Sequence, residues 1–200
     1  MRYLALGDSY TIGESVSAQE RWPVQLAALL RRKGIDLGEP QIIARTGWTT
    51  DELSDGMDRA GPKGPFGLVS LLIGVNNQYR RRPLDEYRKQ FVALLLRAID
   101  LAGGEAGRVL VLSIPDWGVT PFAKGQDQAA IGSAIDEFNR ANAEETLRLG
   151  ARYVDVTPES RQVASDPALI ARDGLHPSGK MYADWAQLAL PAACEALAKP

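Results

Sequence analysis

Five short apolar runs, each set off from the next by a longer amphipathic stretch, constrain this chain more than any other feature. The runs are Arg2–Gly7, Pro40–Arg45, Gly67–Gly74, Arg108–Ile114 and Arg152–Val156. Each is apolar almost without interruption, the pattern of a strand covered on both faces. Gly67-Leu68-Val69-Ser70-Leu71-Leu72-Ile73 is the best candidate for a central strand. The stretches between them carry helical periodicity. One helix is expected from about Trp22 to Lys33, with Pro23 in its first turn and Gly34 as its stop. Ser17 and Glu20 have capping-box spacing, which leaves the start of that helix open by a turn. A short helix follows Thr49-Thr50-Asp51-Glu52. A long one runs from about Pro83 to Ala102, striped by Tyr87, Phe91, Leu94, Leu95 and Ala98. Another covers about Gln128 to Leu149, striped by Ile131, Ile135, Phe138 and Asn142. The last follows Pro177 and Ser178, with a kink expected at Pro191. Strict alternation of strand and helix predicts a doubly wound, flavodoxin-like α/β sandwich around a parallel sheet of about five strands. With no repeat, linker or low-complexity tract, residues 1–200 read as a single domain.

Composition narrows what such a domain can do. At 200 residues, roughly 70% of the unfolded surface can be buried, so no metal or disulfide staple is needed. Lys plus Arg number 23 against 25 Asp plus Glu, and a nucleic-acid partner is not expected without a basic excess. One cysteine, Cys194, has no partner for an internal disulfide, and with one histidine in the chain a zinc site of ordinary ligand spacing is excluded. Cys194 reads as a small core residue. No run approaches the ~20 apolar residues of a membrane span. The start lacks a signal-peptide core, so a cytoplasmic location is expected, or a secreted or periplasmic one if a leader has been removed.

In a doubly wound sheet, chemistry belongs at the carboxyl ends of the strands, near the point where strand order reverses. Four segments lie there: Gly7-Asp8-Ser9-Tyr10 after the first strand, Thr46-Gly47-Trp48 after the second, Gly74-Val75-Asn76-Asn77 after the third, and Asp173-Gly174-Leu175-His176-Pro177-Ser178 before the last helix. They supply a candidate nucleophile, oxyanion donors, and a base with its orienter. In kind, order and spacing they resemble the blocks of the SGNH (GDSL-type) hydrolase family: Gly7-Asp8-Ser9, Gly47, Asn76 and Asp173-Gly174-Leu175-His176-Pro177. The third block departs mildly, reading Gly-Val-Asn-Asn where Gly-x-Asn-Asp is commoner, which leaves the role of Asn77 open.

The resemblance implies a cofactor-free, metal-free carboxylic ester hydrolase acting on a small-molecule ester. Its triad would be Ser9, Asp173 and His176, and its oxyanion hole Ser9, Gly47 and Asn76. The residue types support this on their own. A serine hydroxyl needs an adjacent base. His176 is the one side chain that exchanges a proton near neutral pH without a large environmental push. Asp173, three residues upstream, reaches the imidazole across a tight turn and fixes its tautomer. Glycine at 47 suits close approach of backbone to substrate, and Asp8 reads as a local backbone brace.

Substrate contacts are expected from Trp48, Asn77, Tyr79 and Trp117, with the Pro115–Phe122 turn as a further wall. The aromatic residues read equally as core. Arg80-Arg81-Arg82 reads as a solvated rim or as an attractor of anionic substrate. Other readings stay open. A carbohydrate O-deacetylase, a lysophospholipase or a thioesterase shares the same machinery, and an inactive carbohydrate- or partner-binding relative would share the fold. A flavin or nucleotide binder would want a phosphate loop after the first strand, and Gly7 to Gly13 matches neither Gly-x-Gly-x-x-Gly nor a P-loop. Oligomeric state is not legible.

Overall fold

In the computed structural model, which describes residues 1–198, five strands and eight helices alternate along the chain. Strand β1 (Tyr3–Gly7) leads into a one-turn helix α1 (Ser9–Ile12), then α2 (Trp22–Arg32) and β2 (Pro40–Ala44). Helix α3 (Thr50–Ala60) connects to β3 (Leu68–Leu72), which is followed by the short α4 (Val75–Tyr79) and the long α5 (Leu84–Leu101). After β4 (Val109–Leu112) come α6 (Gln128–Arg148), β5 (Arg152–Val154), the short α7 (Thr157–Ser160) and α8 (Gly179–Leu197).

The strands pair in the order β2-β1-β3-β4-β5, every pair parallel. The chain starts in the interior of the sheet, steps outward to β2, then returns past β1 to build β3, β4 and β5. The reversal lies between β1 and β3, where Gly7 pairs with Leu72. Right-handed crossovers then sort the helices. Helices α2 and α8 pack together on one face, and α3, α5 and α6 follow one another on the other.

Burial follows the apolar pattern. β1, β3 and β4 are buried along their whole length, whereas the edge strands β2 and β5 are only partly so. Within β3 the one polar side chain, Ser70, is matched across the pair by the Tyr3 hydroxyl at 2.9 Å. The stripe expected on the long helix, Tyr87, Phe91, Leu94, Leu95 and Ala98, is the buried face of α5. Fully burying each of its larger side chains contributes roughly 1.5–3 kcal/mol. On α6, Asn139 is buried for a different reason. Its amide accepts the Ile114 N–H at 2.7 Å and donates to the Ile114 carbonyl at 2.9 Å, a side-chain substitute for a ladder pair that pins the exit of β4.

Two local expectations need correction. Ser17 and Glu20 do form a capping box, but it caps a separate 3-10 turn, Ala18–Glu20, and α2 starts two residues later at Trp22. The segments after β1 and β3, expected as turns, are the single-turn helices α1 and α4, too short to show periodicity. Helix α8 continues through Pro191 to Leu197 as one element. Cys194 is half-buried against the core. Among the described residues, no helix is long and apolar enough to cross a membrane.

Candidate active site

The nucleophile candidate owes its place to a glycine-dependent turn. A Cβ on Gly7 would lie 2.4 Å from the Leu72 carbonyl oxygen and 2.1 Å from Thr11 Oγ1, so only glycine lets β1 pass this close to β3 while turning into α1. Asp8 caps that helix. Its Oδ1 accepts the Tyr10 N–H at 3.0 Å, and its carbonyl accepts from Thr11 and Ile12 at 3.1 and 3.0 Å. Ser9 thus stands at the first position of a helix, where the backbone N–H has no partner within the helix. Asp8 is fully buried and its Oδ2 has no hydrogen-bond partner. Burial pushes its carboxyl up to about 7, only partly offset by the Tyr10 N–H.

From the neighbouring strand, Gly47 has a left-handed backbone (φ 85°). Its carbonyl accepts from Arg80 Nη2 at 2.7 Å, which fixes the peptide between Gly47 and Trp48. Beyond β3, Gly74 has φ 132°, and a Cβ there would lie 2.5 Å from the Tyr87 hydroxyl. This tight passage starts α4 and delivers Asn76. The Asn76 amide donates one hydrogen to the Trp48 carbonyl at 2.9 Å, leaving the second free. Neither the Ser9 nor the Gly47 N–H is engaged in a hydrogen bond among the described residues.

The fourth segment is a tight loop closed on itself. An antiparallel bridge joins Ile170 to Pro177, and the Ala171 N–H donates to the His176 carbonyl at 2.7 Å. Gly174 makes the bend with φ 72°. Asp173 Oδ1 accepts the N–H groups of Leu175 and His176 at 2.9 and 3.0 Å, while Oδ2 faces His176 Nδ1 at 2.7 Å. Oδ2 also accepts the Ser15 hydroxyl at 2.6 Å. Partial burial acts to raise the Asp173 carboxyl. The hydrogen bonds from Ser15, Leu175 and His176 together outweigh it and hold the group well below the usual carboxylate range. The His176 ring is buried, with the Tyr10 ring packed 5.5 Å away, centroid to centroid.

Ser9, Gly47, Asn76 and His176 line one cavity of about 170 Å³. Its wall is apolar: Tyr10, Val75, Leu175 and an aromatic trio of Tyr79, Trp117 and Phe122. Tyr79 and Trp117 meet edge to face at 5.4 Å, Trp117 and Phe122 at 6.0 Å. Trp117 is held by donating its Nε1–H to Gln78 Oε1 at 2.8 Å. Tyr79 and Phe122 stand at the mouth, about half exposed. Ser9 and His176 share this cavity without a hydrogen bond between them among the described residues. Contacts between a nucleophile and its base are often loose before substrate binds.

Not every expected contact is brought to the cavity. Trp48 lies outside it because its indole packs onto Gly56 of α3, so tightly that a Cβ on Gly56 would lie 2.2 Å from the ring. Asn77 is buried behind it. Its Oδ1 accepts the Thr50 N–H at 3.1 Å and its Nδ2 donates to Thr50 Oγ1 at 2.8 Å, so it joins α4 to the start of α3 and does not face substrate. Two of the three arginines are engaged by carboxylates, while Arg81 is exposed with no ion pair among the described residues. Arg80 pairs with Glu52 at 3.3 Å and Arg82 with Asp51 at 2.7 Å, both in the first turn of α3. Tyr10, Phe122 and Leu175 line the cavity, and each lay inside or beside a motif already singled out. Among the described residues, no three His, Cys, Asp or Glu side chains gather as a metal-binding group.

Comparison with known proteins gives the family and the fold. The sequence model of the GDSL-like lipase/acylhydrolase family matches residues 5–183. No curated protein matches the chain. Among solved structures, a lipolytic protein of the G-D-S-L family from Veillonella parvula superposes with a TM-score of 0.71 at 17% identity, covering 96% of this chain and 97% of that one. Axe2, an acetylxylan esterase from Geobacillus stearothermophilus, gives a TM-score of 0.69 at 19% identity, covering 100% and 94%. The psychrotrophic esterase EstA from Pseudoalteromonas gives 0.71 at 15%, covering 96% and 95%. At such identities these likenesses speak to the α/β fold.

Proposed function

Because the chain belongs to the GDSL-like lipase/acylhydrolase family and is a carboxylic ester hydrolase, we propose that it cleaves esters of small or short-chain acyl groups with Ser9, His176 and Asp173 as its triad. The observation that carries this reading is the convergence on one cavity of the Ser9 hydroxyl, three uncommitted N–H donors and an imidazole already oriented by a carboxylate.

The reaction follows from which atoms face which. Asp173 accepts the Nδ1–H of His176, so Nε2 is left unprotonated toward the cavity. As Ser9 Oγ attacks the acyl carbon, Nε2 takes its proton. Charge develops on the former carbonyl oxygen, where the N–H groups of Ser9 and Gly47 and the free amide hydrogen of Asn76 meet it. The Asp173 carboxylate stays ionised and stabilises the imidazolium. The tetrahedral intermediate collapses, the C–O bond to the alcohol breaks, and His176 returns the proton to the departing oxygen. Water, deprotonated by the same nitrogen, then releases the acid from Ser9.

Cavity size sets the acyl group. About 170 Å³ falls below the ~300–1,000 Å³ of pockets that enclose drug-sized ligands. A short acyl chain fits against Val75, Leu175 and Trp117; a long one would have to lie outside, which weighs against a lysophospholipase. The half-exposed rings of Tyr79 and Phe122 favour a second reading, a carbohydrate O-deacetylase, since they offer the apolar face of a sugar a platform beside a pocket sized for a small acyl group. We read the chain as a single catalytic domain, because strands and helices share one buried apolar cluster.

The test is a chain-length series of aryl esters alongside acetylated sugars, together with phosphonate labelling read by intact mass. The expected result is one phosphonyl adduct on Ser9, turnover falling steeply as the acyl chain lengthens, and loss of nearly all activity in Ser9→Ala and His176→Ala. Full turnover in Ser9→Ala would refute the assignment.

A further inference from the structure

We propose that Ser15 is a positioning residue for this reaction: presented by a left-handed turn of the backbone, its hydroxyl ties the Asp173 carboxylate to the chain segment that carries the nucleophile. The inference rests on the triad reading given above.

Ser15 has φ 65°, and among the described residues only Arg81 shares a positive φ without being glycine. L side chains disfavour this region because Cβ crowds the following carbonyl, and glycine enters it freely. Two residues earlier the chain does use a glycine, Gly13, at φ 69°. Position 15 therefore holds a serine where the backbone alone would favour glycine, and what serine adds is the hydroxyl. That hydroxyl donates to Asp173 Oδ2 at 2.6 Å, across 158 residues of chain. The same oxygen faces His176 Nδ1 at 2.7 Å.

The Asp173 carboxylate has four partners. Three belong to its own loop: the Leu175 N–H, the His176 N–H and the His176 ring. They fix aspartate to histidine, yet none fixes the pair to Ser9. Ser15 supplies the fourth, and it is six residues from the nucleophile (15 − 9). The neighbouring residue reaches the other way: Glu14 accepts the hydroxyl of Thr46, adjacent to Gly47. The turn after α1 thus holds the base loop with one side chain and an oxyanion loop with the next. Ser15 also contributes to keeping the Asp173 carboxyl ionised, being the strongest of the donors that lower it. Because Asp173 is about one-third exposed, water can replace part of this bond, and the expected effect is moderate.

Glycine at this position separates the backbone from the hydroxyl. Ser15→Gly is expected to melt at or above the temperature of the parent, because the turn is no longer disfavoured. Its kcat on a short-chain aryl ester should fall about three- to tenfold with KM unchanged. The acidic limb of its kcat/KM profile should shift to lower pH, toward that of Asp173→Asn, since both changes loosen the carboxylate from the imidazole. Placed in an Asp173→Asn background, Ser15→Gly should add less than about a twofold loss, because the two act through one carboxylate. A folded Ser15→Gly enzyme with the kcat and acidic limb of the parent overturns the inference while Asp173→Asn remains slow. If Asp173→Asn is itself as fast as the parent, the triad reading fails and takes this inference with it. Ser15→Ala, which keeps a side chain at the strained position, should show the same kinetic loss with a lower melting temperature. An alanine enzyme as active as the parent overturns the inference as well.

Discussion

Asp8 should make the folded state weaken as pH rises toward neutrality. The carboxyl is fully buried, one oxygen accepts a single N–H from Tyr10, and the other has no partner. Burial raises the group from an ordinary 3.8 to about 7. Folded protein therefore holds a proton that unfolded protein has already released over that interval. The contribution is fully present below about pH 4 and is lost as pH rises through about 7. The distance from 3.8 to about 7 is worth about 4 kcal/mol as a ceiling, at ~1.4 kcal/mol per pH unit. A charged carboxylate draws in water or rearranges its surroundings, so about 2–4 kcal/mol is expected. Asp8→Asn keeps the cap, because its Oδ1 can still accept from Tyr10, and it removes the ionisation. Any fixed cost of the new amide is the same at every pH and leaves the slope untouched. Urea unfolding of both proteins at pH 5, 6, 7 and 8 measures the effect. Relative to the parent, the variant should gain about 1–3 kcal/mol between the ends of that range, because only the interval from pH 5 to about 7 lies between the two ionisations. A difference curve flat to within about 0.5 kcal/mol would refute the reasoning, and would mean that Asp8 is ionised at low cost in the folded state.

Two further outcomes are expected at the oxyanion side. Asn76→Ala should lower kcat about 100- to 1000-fold with little change in KM, and should slow phosphonate labelling of Ser9 in step, because the amide acts on charge that develops only during attack. Gly56→Ala should destabilise the fold by about 1–3 kcal/mol and reduce kcat, since the added methyl would sit 2.2 Å from the Trp48 ring and displace the residue whose carbonyl orients Asn76. Thermal melts and steady-state kinetics on the same preparation check both effects, and a Gly56→Ala protein with the melting temperature of the parent would count against the contact.

How much of this was legible in the sequence depends on how far apart the interacting residues lie. Strand positions were readable because burial on both faces of a sheet imposes a continuous apolar run, as in Leu68–Leu72. Ser9, Gly47, Asn76 and His176 could be placed at one end of the sheet because each follows a local signal, a turn glycine or a short motif, at a strand exit or helix entry. The Asp173–His176 pair is local too, at three residues. By contrast, Trp48 turning onto Gly56 depends on how closely β2 and α3 approach, and no nearby residue encodes that. Asn77 bonding Thr50, Arg80 holding the Gly47 carbonyl and Ser15 reaching Asp173 join residues 27, 33 and 158 positions apart. A run of three arginines looks like a solvated rim until the carboxylates of Asp51 and Glu52 are found opposite two of them. Nor did periodicity disclose α1 and α4, since one turn is shorter than the repeat needed to see it.

The strand pairing beneath the site has a consequence for how the site comes apart. Ser9 and Asn76 follow directly on β1 and β3, the two strands joined in register from Tyr3–Leu68 to Gly7–Leu72 in the middle of the sheet. Their separation is inherited from the pairing of two fully buried strands, so the proposed nucleophile and oxyanion donor stay together for as long as the sheet exists. The base has a different anchorage. Its loop is closed by the Ile170–Pro177 bridge and by backbone bonds from Ala171 to His176 and from Ser178 to Leu169, and it leads into α8 rather than out of a strand. One half of the proposed site is therefore held by paired core strands and the other by a loop and the helix it enters, so local opening of that loop would part His176 from Ser9 without breaking the sheet.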